Sequence, residues 1–251
     1  MWPSITFVVD GTRIHVATHA VAIVAGVGAG AALATRRSTT PGPVLLAIAV
    51  VASAVLVGSH ALFATLHGAN GTLWSGGLSS IGGVVAGLAA APVAARLTGL
   101  SLGALLDRLV PASLLALAVG RVGCFLGGCC WGRPTTLPWG VVFPELGPPA
   151  RHPLQLYSAA VDAGLVALLS LVQGPPGAVA RAGLVGFGLV RTGLDLLRDP
   201  VAADPLLGGR VTLAQVAGVV LAIAAAWLRP RGPSTKAPGL PPPDPAGPRG
   251  A

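Results

Sequence analysis

The segment at residues 44–66, VLLAIAVVASAVLVGSHALFATL, decides the fold class of this chain. Its 23 residues include no Lys, Arg, Asp or Glu. A helix of about 20 mostly apolar residues is long enough to cross the hydrocarbon core of a bilayer. The segment therefore predicts a transmembrane helix, which places at least this part of the chain in a membrane.

The composition of all 251 residues extends this prediction to the whole chain. Apolar residues make up 53%, charged residues 10%, and the mean hydropathy is +0.77. A soluble domain carries about 25% charged residues because its surface faces water. The net charge of +8 comes from basic residues scattered between apolar runs, which favours a role in membrane topology over a nucleic-acid surface. We therefore expect no sizeable soluble domain and no nucleic-acid partner.

Six further runs follow the same pattern. Four are clear, and two are weaker because they are rich in glycine or carry charges; the clear runs are 14–35, 109–126, 154–172 and 211–228, and the weaker ones are 80–95 and 183–197. We predict an all-α integral membrane protein with seven transmembrane helices in one domain at 1–228. A disordered, Pro- and Gly-rich cytoplasmic tail is expected at 229–251. Most glycines within the runs are expected to let helices pack closely.

The basic residues set the predicted orientation. Arg36 and Arg37 directly follow the first run, and cytoplasmic loops are enriched in Lys and Arg. With seven spans, this assignment places the N-terminus outside and the C-terminus inside. The long connection at 127–153 then lies on the outer side, and a connection of this length is usually functional or disordered.

Several ionisable residues lie within the apolar runs. A charge at mid-membrane costs about 2.5–3.5 kcal/mol on insertion scales, so such residues usually face a partner or a wet cavity. The spacing of Arg191, Asp195 and Arg198 places them on one helix face, where Asp195 can pair with either arginine. Structural ion pairs and side chains that extend to the interface are the alternatives, and for Arg198 both interpretations stay open. For Arg121 and Arg191, which have apolar neighbours on both sides, we favour a functional role.

Arginines that face the outer leaflet suit a lipid phosphate. Guanidinium groups bind phosphate oxygens in pairs and stay charged at any relevant pH. Asp162, in the run at 154–172, offers a neutralising charge for an arginine. These residues alone predict a phospholipid substrate or a bound phospholipid.

Four segments resemble, in order, the motifs of the bacterial prolipoprotein diacylglyceryl transferases. They are SGGLSSIGG at 75–83, GRVGCFLGGCCWGRPT at 120–135, RHPLQLY at 151–157, and Arg191, Asp195 and Arg198 with the following Asp199-Pro200. The resemblance extends from residue 14 to residue 228 and includes seven spans with the N-terminus outside. Each motif alone is modest evidence, whereas the four in order are strong evidence of homology.

The resemblance implies an enzyme of the bacterial plasma (inner) membrane. The family moves the diacylglyceryl group of phosphatidylglycerol to the lipobox cysteine thiol of a preprolipoprotein signal peptide, and glycerol phosphate leaves. The expected partners are phosphatidylglycerol, preprolipoprotein signal peptides and the membrane itself. No cofactor is expected.

The resemblance also guides the prediction of the site residues. It implies that Arg121 and Arg191 hold the headgroup phosphate. We take His152 as the first candidate for the acceptor of the thiol proton, with His60 or His19 next, and count it with the two arginines as the expected catalytic residues. Further substrate-binding residues are expected on two of the motifs and in the arginine-acid-arginine segment: Gly76, Gly77, Arg151, Gln155, Tyr157, Asp195 and Arg198. Pro153 can begin a helix, which would place Arg151 and His152 at its start.

The chain departs from the family pattern at several polar positions. Ile81 stands in place of a histidine, Cys124 and Cys129 in place of an asparagine and a glutamate, His19 and Phe187 in place of tyrosines, and Ser158 in place of a glutamate. The first interpretation is a divergent transferase, and the alternative is a catalytically silent paralogue that binds phospholipid. A transporter is a weaker interpretation because the sequence shows no related halves.

The three cysteines, Cys124, Cys129 and Cys130, lie close together in the sequence. They are too few and too close together for a disulfide framework. Zinc ligands usually come in pairs two to four residues apart, whereas the intervals here are five and one. We therefore predict no metal site and expect small residues packed at a helix end, with a thiol nucleophile or acyl carrier as the minor alternative.

Overall fold

The computed structural model describes residues 4–9, 12–36, 38–67, 79–199, 205–206 and 211–227. Seven helices form the body of the chain: α1 (Thr18–Thr35), α2 (Pro41–His67), α3 (Ser80–Thr98), α4 (Leu102–Leu126), α5 (Leu154–Leu169), α6 (Ala178–Asp195) and α7 (Leu213–Trp227). Each lies on one of the seven predicted runs, so the predicted helical architecture is confirmed. The predicted tail at 229–251 lies outside the described residues, as do Gly76 and Gly77.

Within the described ranges, four helices are long and apolar enough to cross a membrane: Thr18–Thr35, Pro41–Leu66, Ser80–Thr98 and Leu102–Leu126. α5 and α7 are apolar but shorter, with 16 and 15 residues, and α6 carries Arg181, Arg191 and Asp195. Large apolar side chains point away from the bundle; Val24 is 72% exposed and Val57 is 70% exposed. Extended apolar surface of this kind is typical of a membrane or interaction surface, and it fits a membrane protein.

Two short antiparallel hairpins, which the sequence analysis did not predict, occur among the described residues. They are formed by β1 (Ser4–Val9) with β2 (Thr12–Ala17), and by β3 (Pro205–Leu206) with β4 (Val211–Thr212). The first hairpin corrects the prediction of one helix over 14–35, because α1 begins only at Thr18. Ile14 and Val16 are β-branched residues, which fit a pleated strand better than a helix.

Two other helices begin earlier than predicted because polar residues stabilise their first turns. α4 begins at Leu102 instead of 109, and the Ser101 hydroxyl oxygen accepts a hydrogen bond from the Ala104 backbone N–H at 3.4 Å. α6 begins at Ala178 instead of 183. The Asp107 carboxylate of α4 accepts hydrogen bonds from the backbone N–H groups of Gly177 and Ala180, at 2.7 and 2.8 Å. Side-chain oxygens satisfy the free N–H groups of a helix start in this way.

α4 is the central helix of the bundle. It packs against α1, α3, α5 and α6, while α2 pairs with α3 and α7 pairs with α6. Leu114 of α4 lies in one buried cluster with Leu169 of α5 and Leu184 of α6. The C-terminal half of α4, which carries Arg121, therefore faces α5 and α6.

Glycines allow the closest helix pairs to form. On α1, a methyl group added at Gly26 would lie 2.6 Å from the Ala116 carbonyl oxygen of α4, and one added at Gly30 would lie 2.6 Å from that of Ala112. Only glycine permits such a backbone approach, which is the packing mode of small residues in membrane helices. The prediction that helix glycines serve packing is confirmed at these positions.

The connection at 127–153 is an ordered structure stabilised by its own backbone. Val141 and Arg151 exchange two backbone hydrogen bonds of 2.9 Å, and the Thr135 N–H donates to the Ala150 carbonyl oxygen at 2.9 Å. Phe143 is 1% exposed and forms the core of the connection together with Phe125 and Trp131. Of the two predicted alternatives, disorder is thus wrong for this segment.

Candidate functional site

A small cavity at the junction of α4, α5 and α6 brings the two key arginines together. Arg121 and Arg191 are 70 positions apart in the sequence but line the same space, with an acid and a mostly apolar wall. The lining residues are Ser80, Leu117, Arg121, Ser158, Asp162, Phe187, Val190, Arg191 and Leu194. The convergence of two guanidinium groups in one apolar cavity makes it the candidate functional site.

Arg121 enters the cavity from the last turns of α4. Leu117, one turn earlier, lines the same cavity, as residues four apart on a helix do. The Arg121 side chain is half-buried, and among the described residues its guanidinium makes no hydrogen bond and no salt bridge. A guanidinium carries five N–H donors, so Arg121 has donors available for an anion.

Arg191 enters from α6 and is only partly neutralised. Its Nη2 atom lies 3.5 Å from Oδ1 of Asp195, one turn along the helix, and the two side chains are 12% and 0% exposed. The Arg191 Nε–H is buried and has no hydrogen-bond partner among the described residues. The Asp195 carboxylate also accepts a hydrogen bond from the Thr212 hydroxyl, so it is shared between α6 and β4.

The site gathers three arginines and two acids within electrostatic range of one another. Arg191 interacts electrostatically with Arg121 and Arg198 as well as with Asp195. The Asp162 carboxyl, buried on α5, lies within electrostatic range of Arg121 and Arg191. Like charges gathered away from water repel each other unless a counter-charge joins them. The arrangement is therefore suited to an anionic group inside the cavity.

Arg198 and Arg151 connect the outer loop to the end of α6. α6 ends at Asp195, so Arg198 does not lie on the helix face that the sequence predicted; its backbone pairs with Gly132 in a β-bridge. The Arg151 guanidinium forms a salt bridge with the Asp199 carboxylate. Both predicted binding residues thus hold the 127–153 connection against the segment that follows α6.

His152 lies beside Tyr157 at the start of α5, as the prediction for Pro153 implied. Pro153 is the N-cap and α5 begins at Leu154. The His152 Nδ1 atom is 3.4 Å from the Tyr157 hydroxyl oxygen, which accepts a hydrogen bond from the Trp139 indole N–H at 2.6 Å. His152 and Tyr157 are not among the residues that line the cavity, so the structure places this pair next to the arginine site and not within it.

Gln155 is buried under the cysteine segment. It is 1% exposed, and its amide N–H donates to the Cys129 carbonyl oxygen. Its Oε1 atom has no hydrogen-bond partner among the described residues. In the structure Gln155 thus supports the backbone after α4 and does not line the cavity.

The three cysteine sulfur atoms converge although the sequence intervals did not suggest it. The sulfurs of Cys124, Cys129 and Cys130 all lie within 4.8 Å of one another. Hydrogen bonds from the Cys124 and Cys129 thiols, together with the positive charges of Arg121 and Arg198, lower the pKa of the Cys130 thiol. The cluster therefore adjoins the arginine site.

The remaining predicted residues lie apart from the cavity or outside the described structure. His19 is exposed on α1 and His60 is half-buried on α2, and neither lines the cavity. Ile81 lies in the first turn of α3 beside Ser80, which does line it. Of the segment at 75–83, the described residue Ser80 therefore reaches the site.

Comparison with known proteins assigns the family. A sequence model described as prolipoprotein diacylglyceryl transferase matches residues 6–229. Of the described helices and strands, the match includes all seven helices and leaves out only the first two residues of β1. The chain belongs to the prolipoprotein diacylglyceryl transferase family. The resemblance inferred from the four motifs is thus confirmed, and the arginine cavity is the cavity of a family member.

Curated relatives agree with this assignment. The phosphatidylglycerol–prolipoprotein diacylglyceryl transferase of Methylocella silvestris is 40% identical over 142 residues, which cover 54% of this chain and 51% of that protein. The protein of the same name from Brucella ovis is 37% identical over 164 residues, which cover 62% of this chain and 58% of that protein. The chain thus matches a little over half of the length of these relatives.

Sequence reasoning did not single out four cavity residues: Ser80, Leu117, Val190 and Leu194. Leu117 and Leu194 could have been found, because they lie four residues before Arg121 and three after Arg191 on the same helices. Val190 precedes Arg191 directly. No local signal points to Ser80, since it reaches the site only through the packing of α3 against α4.

Proposed function

We propose that this chain transfers the diacylglyceryl group of phosphatidylglycerol to the lipobox cysteine thiol of preprolipoprotein signal peptides. Family membership supports the reaction class. One observation carries the proposal for this chain: Arg121 and Arg191, from two helices, converge on one cavity. Within the described part of the chain, both arginines retain N–H groups that have no hydrogen-bond partner. An anionic phosphodiester is the part of the substrate that such a site recognises.

The two arginines would act on the bond that breaks. The thiol sulfur attacks the glycerol carbon that bears the phosphate, a C–S bond forms, and the C–O bond to the phosphate breaks. The electron pair of that bond stays on the phosphate oxygen, so negative charge grows on the leaving glycerol phosphate. Donors already in place where this charge develops lower the barrier, and the removal of one such donor typically costs about 10²–10³ in rate.

His152 is the proposed acceptor of the thiol proton, with Tyr157 as its positioning residue. If the Nδ1–H of His152 donates to the Tyr157 hydroxyl oxygen, the basic nitrogen is Nε2, which can take the thiol proton. The Trp139 indole N–H holds the same oxygen in place. Arg151, Gln155, Asp195 and Arg198 would then shape the site by fixing the outer loop and Arg191, and Gly76 and Gly77 would contribute to substrate binding.

We further propose that all seven helices span the bacterial plasma membrane, with the N-terminus outside and the C-terminus inside. Four helices meet the length for a span on their own. The shorter α5 and the charged α6 pack on α4 and would cross as interior helices, because Asp162 of α5 and Arg191 of α6 face the shared cavity instead of lipid. This topology places the 127–153 connection and the arginine cavity near the outer leaflet.

The transfer is tested in cells depleted of their own transferase. Expression of this chain should restore growth, and mass spectrometry of a lipobox peptide should show the added diacylglyceryl mass. Arg121→Ala and Arg191→Ala should each lower the transfer rate by about 10²–10³. Arg181→Ala is the matched control, because Arg181 is exposed on the first turn of α6 and should leave the rate unchanged.

A catalytically silent phospholipid-binding protein is the second candidate. The apolar ring of Phe187 in the cavity wall favours it, because the resemblance implies a tyrosine there. The purified protein would then bind phosphatidylglycerol vesicles through Arg121 and Arg191 but add no lipid to the peptide. That result would support this candidate and reject the enzyme. Unchanged binding in both arginine variants would reject the phosphate site itself.

A further inference from the structure

The cysteine cluster is a convergent set of donors that the transfer reaction does not use. Cys124 lies in the last turn of α4, and Cys129 and Cys130 lie near the start of the outer connection. These are all the cysteines of the chain, and their sulfur atoms lie within 4.8 Å of one another. Three sulfur atoms at this separation can bind one soft cation with small movements of their side chains.

The backbone is bent in a way that brings Cys130 back to the cluster. Among the described residues, Cys130 is the only one other than glycine with a positive φ, at 63°. The left-handed region is strained for a residue with a Cβ, and such residues cluster at functional sites. The Cys129 N–H donates to the Cys124 carbonyl oxygen at 3.1 Å, and Gln155 donates to the Cys129 carbonyl oxygen. The segment is therefore held in the shape that gathers the thiols.

The donor set selects the ligand class. Thiolates are soft ligands that favour Cu(I), Zn(II) and iron–sulfur clusters. Structural zinc sites almost always have four protein ligands, whereas this group consists, within the described residues, of three cysteines. Three thiolates with one monovalent ion carry a net charge of −2, and Arg121 and Arg198 place positive charge beside Cys130. A trigonal Cu(I) site satisfies both the number of donors and the charge.

We propose that Cys124, Cys129 and Cys130 form a binding site for one Cu(I) ion. Binding replaces the thiol protons by the metal and releases them to solvent, with no change in oxidation state. The three sulfur ligands take no part in the proposed transfer, so the copper proposal stands whether or not the transfer is correct. It departs from the expectation of no metal site, which rested on sequence intervals alone.

The full chain, purified in detergent and reduced under anaerobic conditions, is the material for the test. Cu(I) is titrated in competition with a chromogenic Cu(I) chelator. The expected result is one tightly bound ion per chain, with only sulfur ligands in the X-ray absorption spectrum. Cys124→Ser, Cys129→Ser and Cys130→Ser should each abolish stoichiometric binding. The control starts from the variant with all three cysteines replaced by serine. The added change Ser170→Cys restores one thiol at the exposed end of α5, far from the cluster in sequence. This single thiol should not restore binding.

Cys130→Gly guards against loss of binding through misfolding. Glycine adopts a positive φ without strain, so this variant should keep or raise the unfolding temperature while it loses the ion. Unchanged copper stoichiometry in Cys129→Ser and Cys130→Gly would overturn the proposal. A disulfide pair is the other outcome that would overturn the proposal. It would appear as a mass loss of two hydrogens after mild oxidation, with no metal bound. The same protein, once reduced, would also fail to bind Cu(I).

Discussion

At the scale of single residues, the site depends on how each buried charge is compensated. Asp195 is shared by Arg191 and Thr212, and Arg151 is paired with Asp199, whereas Arg121 makes no hydrogen bond or salt bridge among the described residues. An arginine held partly away from water with unused N–H donors costs free energy unless a ligand accepts hydrogen bonds from those donors. The unequal pairing therefore distinguishes Arg121 from Arg151, although the sequence presents both as arginines in motifs.

The histidine–tyrosine pair leads to a prediction about catalysis. Tyr157→Phe removes the hydroxyl oxygen next to His152 Nδ1 and leaves the arginines in place. If Tyr157 positions the base, kcat should fall by about 10²-fold, within the usual range for general-base catalysis, while KM for phosphatidylglycerol stays the same. Kinetics with a lipobox peptide measure both constants.

Trp139→Phe serves as the graded comparison for this pair. It removes the indole N–H that donates to the same Tyr157 oxygen but keeps an aromatic ring. We expect a smaller loss of kcat than in Tyr157→Phe. Equal KM increases in both variants, with kcat unchanged, would indicate a role in lipid binding instead.

At the scale of elements, close helix packing decides which faces meet. α1 reaches α4 only because Gly26 and Gly30 present no side chain to the Ala116 and Ala112 carbonyl groups. In a bilayer the hydrophobic effect does not drive helices together, so such contacts supply the association energy. α4 in turn carries Arg121, so the packing of α1 supports the helix that brings this arginine to the cavity.

Gly30→Leu should disrupt this helix pair. The side chain would overlap the α4 backbone, and overpacking typically costs about 1–3 kcal/mol. Thermal unfolding in detergent should show a lower midpoint. Gly28→Leu is the matched control on the same helix, because nothing lies within 4 Å of the added group, and a comparable loss there would argue against the α1–α4 contact as the cause.

The start of α6 offers a second element-scale prediction. The Asp107 carboxylate accepts the N–H groups of Gly177 and Ala180 at 2.7 and 2.8 Å. Asp107→Ala should destabilise the protein by about 0.5–2 kcal/mol, the usual cost of a lost helix cap. Asp107→Asn retains an acceptor oxygen and should lose less; denaturant unfolding followed by circular dichroism compares the two.

At the scale of the whole molecule, the bundle is built around α4 and exposes apolar side chains on its outer helices. The outer connection joins the ends of α4, α5 and α6 through the Arg151–Asp199 salt bridge and the Gly132–Arg198 bridge. These contacts hold the connection against the segment that follows α6.

The proposed topology predicts the location of both ends of the chain. A fluorescent protein fused after residue 251 should fluoresce, because it folds in the cytoplasm, and a periplasmic phosphatase fused there should be inactive. A phosphatase fused within the 127–153 connection should be active. Activity at both positions would contradict an odd number of spans between this connection and the C-terminus.

The seven helices and the two arginines of the cavity could be identified from the sequence, because apolar runs and isolated charges within them are local signals. The sequence could not determine the N-terminal hairpin, since an apolar run of β-branched residues suits a strand or a helix, and pairing with a second strand decides between them. Packing alone decided that Arg121 and Arg191 meet in one cavity, that Arg151 pairs with Asp199, and that three thiols at intervals of five and one converge. These contacts join residues far apart in the chain or depend on a single backbone angle, and neither leaves a periodic pattern in the sequence.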